Sequence, residues 1–204
     1  MRVLGAVAAT LAVPLASGCL LFSRGAPLGP HYYDPEPPRP VAASAGPPSC
    51  ALELGDIDTN DDLGQSIAFR RSLYEVGYYE TRRWTETPDN YLRRALVRAL
   101  FDEQRCHRVL SGDGPTLDAR LIAFEELQGS PHRARVAVRV ILHDAGGVIS
   151  EVTFDAVRPF GAGADDVAFD EFVAAISQAL DDVVGHVVEL VSSTPATAVS
   201  PGKR

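Results

Sequence analysis

The sequence predicts an α+β domain, a two-layer sandwich in which a mainly antiparallel sheet of about five or six strands carries two main helices on one face. Three observations predict it. Residues Arg133 to His143 alternate apolar and charged side chains, then turn at Asp144-Ala145-Gly146-Gly147 into a second alternating run, Val148 to Val157. Asp166 to Val191 carries a long apolar stripe at helical spacing, and a shorter stripe follows Pro88-Asp89-Asn90. Strands with one apolar face and helices with one apolar stripe satisfy each other only by packing in layers.

The elements follow in chain order. Ala51 to Ile57 alternates enough for a strand. Ile67 to Arg71 and Val76 to Arg82 read as a strand pair about the turn Ser72 to Glu75. Pro88-Asp89-Asn90 supplies turn and cap residues, and Leu92, Leu96, Ala99 and Leu100 place the first helix over Asn90 to Gln104. Leu117 to Leu127 makes a further strand. In the hairpin, Val136, Val138, Val140 and Leu142 share one face while Arg133, Arg135, Arg139 and His143 take the other. Val148, Val152 and Phe154 alternate against Glu151 and Asp155 on the return strand. The final helix sets Phe169, Phe172, Val173, Ile176, Leu180, Val183, Val184, Val187 and Leu190 on one stripe; Gly185 within it costs about 1 kcal/mol relative to alanine, which suggests a bend or close packing there.

The 204 residues divide unevenly around that domain. Acidic side chains outnumber basic ones 27 to 19, a net charge of -8, so no electropositive field exists to displace counter-ions from a phosphate backbone and nucleic acid is excluded as a partner. Residues 1–18 open with Arg2, continue through the uncharged run Val3 to Val13, and end in Leu15-Ala16-Ser17-Gly18 before Cys19. That is an export signal, too short to span a bilayer as a helix. Small residues running into a cysteine resemble the lipobox of bacterial lipoproteins, with Ala16 where leucine is usual. Cleavage before Cys19 and its acylation, with palmitate among the chains, would anchor the protein to a membrane, each buried CH₂ contributing roughly 0.8 kcal/mol. An ordinary secretory signal with an incidental cysteine is the alternative. Leu20 after the cysteine, rather than aspartate, resembles the outer-membrane sorting pattern. Residues 19–48 hold eight of the 15 prolines and read as an extended tether of about 90 Å. The folded domain is expected over 49–191, and 192–204 reads as a disordered tail.

Ile67 to Pro88, with Tyr78-Tyr79 and Arg83-Trp84 inside it, and the helix carrying Leu92, Leu96 and Leu100 together resemble the central segment of the ABC-type transport auxiliary lipoproteins, the group that includes paraquat-inducible protein C. Tyr32-Tyr33 occupies the place of that family's early tyrosine pair, with Pro35 where a leucine usually follows. The resemblance covers most of residues 19–191. It implies an envelope lipoprotein serving as accessory subunit of an ATP-driven transporter, commonly one whose membrane-spanning partner carries an MCE domain and moves lipids, with no reaction to catalyse. A homo-oligomer is compatible with this, and a structural envelope lipoprotein without a transport role is the alternative.

The chemistry-bearing residues are few. Asp56-Ile57-Asp58-Thr59-Asn60-Asp61-Asp62 begins like a calcium loop, yet Asp61 stands where glycine is needed and Ile67 where a bidentate glutamate is needed. His31, His107, His132, His143 and His186 form no His-x-x-x-His pair, and neither a Gly-x-Ser-x-Gly elbow nor a phosphate loop occurs. Neither a metal nor a cofactor is expected. With Cys19 assigned to lipid, Cys50 and Cys106 are expected to bridge in an oxidising periplasm. Trp84, the only tryptophan, suits core packing and is also a candidate partner contact. Tyr78 and Tyr79 point to opposite faces of their strand, so one is free for a partner. Charge is segregated: Arg70 to Arg108 holds nine arginines against six acids, and Asp165 to Glu189 seven acids without a Lys or Arg. Either two helix faces of opposite sign pack side by side, or Asp181 and Asp182 meet a basic partner.

Overall fold

Alternation sets the long strands and helical spacing sets the two helices in the computed structural model, which describes residues 29–37, 50–60, 62–109, 114–161 and 166–194. The expected export signal, Cys19, Asp61, the expected tether outside 29–37 and the expected tail beyond Thr194 lie outside the described residues. The strands are β1 (His31–Tyr33), β2 (Ala51–Thr59), β3 (Ser66–Arg70), β4 (Val76–Trp84), β5 (His107–Arg108), β6 (Thr116–Leu127), β7 (His132–Asp144) and β8 (Gly147–Phe160). The helices are α1 (Pro88–Val97) and α2 (Asp166–Ser193). All six expected strands and both helices form.

The sheet is larger and less antiparallel than expected, with eight strands in mixed orientation. β6 is its axis. One side of β6 pairs antiparallel with β7 along nearly its whole length, from Thr116↔His143 to Leu127↔Arg133. Its other side is shared: the first half runs parallel to β2, and the last three residues run parallel to β3. From that fork β5 extends the β2 branch in parallel, while β4 pairs antiparallel with β3 and β1 lies parallel to β4. β8 closes the far side against β7. Two corrections follow. Strands of three and two residues are too short to show alternation, so β1 and β5 escape a periodicity argument. Alternation also reveals which face a side chain takes but not the direction of the neighbouring strand, and β6 meets β2 and β3 only through crossovers.

β1 also corrects the tether. Residues 29–37 lie on the domain: Tyr33 pairs with Trp84, and its ring centroid is 4.6 Å from that of Phe169. Nine residues, 20–28, separate Cys19 from the first described residue, Gly29.

The two-layer prediction holds, with α1 and α2 on one face of the sheet. Pro88 starts α1 at its first position, where a missing N–H costs nothing, so the helix begins two residues before Asn90. The α-geometry stops at Val97 and a wide π-helical turn, Arg98–Glu103, follows. Gln104 N–H closes it on the Ala99 carbonyl at 2.9 Å, and Arg105 takes the left-handed conformation (φ 59°). That sequence of turns brings Cys106 to Cys50, and the two are joined with Cα atoms 4.5 Å apart. The helical stripe read from the sequence is the buried face of α2, from Phe169 to Val191. Gly185 is the exception, since it is exposed and a Cβ there would meet nothing within 4 Å, so neither a bend nor close packing accounts for it.

Two stability changes are expected. Gly185→Ala should stabilise the domain by about 0.5–1 kcal/mol, read as a rise in urea midpoint, because the helix gains propensity without a clash. Reduction of Cys50–Cys106, whose partners are 56 residues apart, should cost about 2–4 kcal/mol by freeing the unfolded chain. Intact mass under non-reducing conditions with two free thiols would overturn the bridge.

Candidate functional site

The residues singled out for partner contact separate into buried, paired and exposed groups. Trp84 ends β4 and is 1% exposed. Its ring touches Tyr91, Phe124 and Phe172 with centroids 5.2–6.2 Å away. It has no surface to offer a partner, which corrects its candidacy and agrees with the packing role expected of a large aromatic. On β4, Tyr78 and Tyr79 do point to opposite faces. Tyr78 is 42% exposed and donates to the Asp62 carbonyl at 3.2 Å. Tyr79 is half-buried between Phe69 and Phe169, with centroids at 5.1 and 5.2 Å, and donates its hydroxyl hydrogen to Glu126.

Tyr79 leads to a feature that neither composition nor spacing suggests, two adjacent carboxylates on β6 that are both about 3% exposed. Consecutive strand residues face opposite ways, so each has its own partners. Glu126, on the helix face, accepts from Tyr79 and sits 2.5 Å from His132 Nδ1. Burial first, then the hydrogen bond to Glu126, pushes the Tyr79 phenol well above the ordinary tyrosine range. Glu125, on the open face, accepts from Arg70 Nε at 3.1 Å and lies 3.4 Å from Arg135. Arg135 continues to Asp155 at 2.6 Å, making an alternating row of charge across β3, β6, β7 and β8. A second row crosses the sheet nearer its other end. There Asp58 meets Arg120 at 2.7 Å, whose hydrogen bond holds the carboxyl below its usual range, and Arg139 meets Glu151. The start of the acidic run that began like a calcium loop, Asp56 to Thr59, is thus strand, with Asp58 spent on an arginine. Among the described residues no group of three His, Cys, Asp or Glu side chains is placed to hold a metal.

The segregated charge is largely consumed within the chain. Arg98, 15% exposed, pairs with Glu36 at 3.1 Å, Glu103 at 2.8 Å and Asp181 at 3.1 Å. Burial opposes its charge, and the hydrogen bond it donates to Glu103 together with the Glu36 charge overcomes that and holds the guanidinium above its ordinary value. Asp182 takes both nitrogens of Arg158 at 2.6 Å. Asp181 and Asp182 therefore face arginines of their own domain, which is the side-by-side arrangement and not an acidic surface waiting for a base. Sequence reasoning missed Asp34 and Glu36 as partners of Arg94 and Arg98 because they sit among prolines. Tyr32-Tyr33 was the available signal, since aromatic pairs do not suit a solvated polyproline tether.

What remains for recognition is exposed. β8 has a hydrogen-bonded neighbour on one side only among the described strands, and Val148, Ile149 and Val157 are 63%, 40% and 41% exposed along its 14 residues. A long edge of this kind is a template for an added strand. No helix among the described residues is long and apolar enough to cross a membrane.

A family model described as ABC-type transport auxiliary lipoprotein component matches residues 33–188, which runs from β1 into the last turns of α2. No curated protein matches the chain. Among solved structures, a Xanthomonas campestris protein of the DUF330 family superposes with a TM-score of 0.61 at 21% identity, covering 74% of this chain and 91% of that one. A second, titled only as an uncharacterized protein, gives a TM-score of 0.63 at 16% identity over 80% of this chain and 99% of that one. Both likenesses are of fold.

The Tyr79 contact is testable. Tyr79→Phe leaves the buried Glu126 short of a donor and should cost about 1–3 kcal/mol at neutral pH by urea denaturation. Because the folded phenol holds its proton more tightly than the unfolded one, its contribution is complete below about pH 10 and is lost as pH rises through the higher folded value. The variant should accordingly lose less stability than the unaltered domain on passing from about pH 9 to 11.

Proposed function

The chain belongs to the ABC-type transport auxiliary lipoprotein family, and on that premise we propose that it is a lipid-anchored accessory subunit of an MCE-linked ABC transporter, serving lipid movement across the envelope by docking and not by catalysis. The observation that supports this reading is the extent of the family match, 33–188, which runs from the last residue of β1 through β8 and into the last turns of α2. The anchor is acylated Cys19, on the periplasmic side and in the outer membrane. After loss of residues 1–18 the chain carries 18 basic and 27 acidic residues, a charge of -9 that favours protein and lipid partners over nucleic acid.

The β8 edge supplies a docking mode suited to such a role. An extended segment of the transporter partner, laid against β8, would gain main-chain hydrogen bonds and cover Val148, Ile149 and Val157. Their neighbours Glu151 and Asp155 are already neutralised by Arg139 and Arg135, so the incoming strand meets little unpaired charge.

Crosslinking in cells followed by mass spectrometry tests the function: recovery of an MCE-domain or permease protein supports it, and recovery of cell-wall or outer-membrane proteins alone selects the structural envelope lipoprotein instead. The docking edge has its own measurement. Val148→Lys with Ile149→Lys should lower recovery of that partner about tenfold, equivalent to 1.4 kcal/mol, with the melting temperature unchanged. Undiminished recovery would show that the partner sits elsewhere.

A further inference from the structure

The β3–β4 hairpin ends in two side chains that the domain does not bury. Leu73 is 78% exposed and Tyr74 is 92% exposed. Burying large apolar and aromatic side chains is favourable, so two adjacent exposed ones at the end of the hairpin represent an unused driving force. The turn is built to keep them there. Ser72 Oγ accepts from the backbone N–H groups of Tyr74 and Glu75 at 3.3 and 3.2 Å, Arg71 N–H donates to the Glu75 carbonyl at 3.1 Å, and Arg70 reaches the Leu73 carbonyl at 3.3 Å. Arg71 and Glu75 pair at 3.0 Å, so the tip is apolar and electrically balanced. Val76 and Tyr78 follow it down the hairpin at 37% and 42% exposure.

The topology decides which way this tip faces. β1 runs parallel to β4 with His31 opposite Arg82, so the chain preceding His31 heads toward Val76 and the tip. Pro30 already lines a shallow groove with Glu80 and Thr81. At about 3.3 Å per residue, the tip lies roughly 20 Å beyond the level of Gly29. The ten residues 19–28 reach at most about 33–36 Å, enough for acylated Cys19 to come level with Leu73 and Tyr74 but too little for the domain to stand far off. α2 begins at the same end of the sheet, where Val167 is 70% exposed.

We propose that Leu73 and Tyr74 make a second membrane contact, seated at the headgroup–acyl boundary of the leaflet that holds the lipid on Cys19. It rests on the reading of Cys19 as lipidated. A leucine supplies apolar area, and a tyrosine puts its ring in the boundary and its hydroxyl in water, the arrangement in which that side chain concentrates at membrane surfaces. The anchor holds the tip at high effective concentration beside the bilayer, so two residues suffice to fix the domain's orientation. Because the tip carries no net charge, the contact is insensitive to salt and to anionic lipid content.

The test uses the acylated full-length mature protein in vesicles of phosphatidylethanolamine and phosphatidylglycerol, with and without brominated acyl chains. Trp84, 1% exposed, gives the unaltered protein an emission that bromolipid does not quench. In Tyr74→Trp, the added indole should show blue-shifted emission quenched about twofold by bromolipid, as expected at the headgroup–acyl boundary, and equally at low and high salt. Acylated protein that floats with the vesicles but leaves this indole water-like and unquenched overturns the contact, and the same result with the tip crosslinked to a protein in cells assigns it to a protein partner. Intact mass without acyl chains removes the anchor and the contact together.

Discussion

The structure depends on the burial of Trp84. It is the last residue of β4, its N–H donates to the Gln65 carbonyl at 2.8 Å, and it stands opposite Tyr33 of β1. Its ring meets Tyr91 of α1, Phe124 of β6 and Phe172 of α2, so one side chain touches both helices and the central strand. Tyr91 is placed by the same corner: its hydroxyl lies 2.9 Å from Thr85 Oγ1 and accepts the Glu86 N–H at 2.9 Å, which removes the cost of burying a phenol. Around that nucleus the apolar stripes of α1 and α2 find the helix face of the sheet.

Charge is the second organising constraint, and it is spent locally. Arg98 ties the segment after β1, the turn after α1 and the middle of α2 into one cluster. The open face of the sheet, without helices over it, carries instead Arg70, Arg120, Arg135 and Arg139, each ion-paired with a carboxylate of a neighbouring strand. Beneath them Ala68, Ala123 and Ala137 are 1–5% exposed. A face that would otherwise be a bare apolar sheet is thus closed by long charged side chains whose charges cancel. What the domain leaves uncovered is peripheral and apolar, the β8 edge on one flank and the hairpin tip at one end.

That distribution suits a tethered docking module. With residues 29–37 laid on the sheet, only residues 20–28 separate Cys19 from the described domain, so on the proposed reading of Cys19 as the anchor the direction of β1 limits how the domain can stand at the membrane.

Sequence alone determined the six longer strands, both helices and the buried stripe of α2, because each is written in a period that a single segment carries. It also foresaw that Tyr78 and Tyr79 would part company, a consequence of strand geometry. Only the tertiary structure decided strand direction, the docking of β1, the burial of Glu125 and Glu126, and the destination of Asp181 and Asp182. These depend on partners 6 to 83 residues away, as in Glu126–His132 and Arg98–Asp181, and no local period encodes them. A carboxylate looks the same in sequence whether it faces water, an arginine of its own sheet or another protein; the fold alone brings the counter-charge within reach.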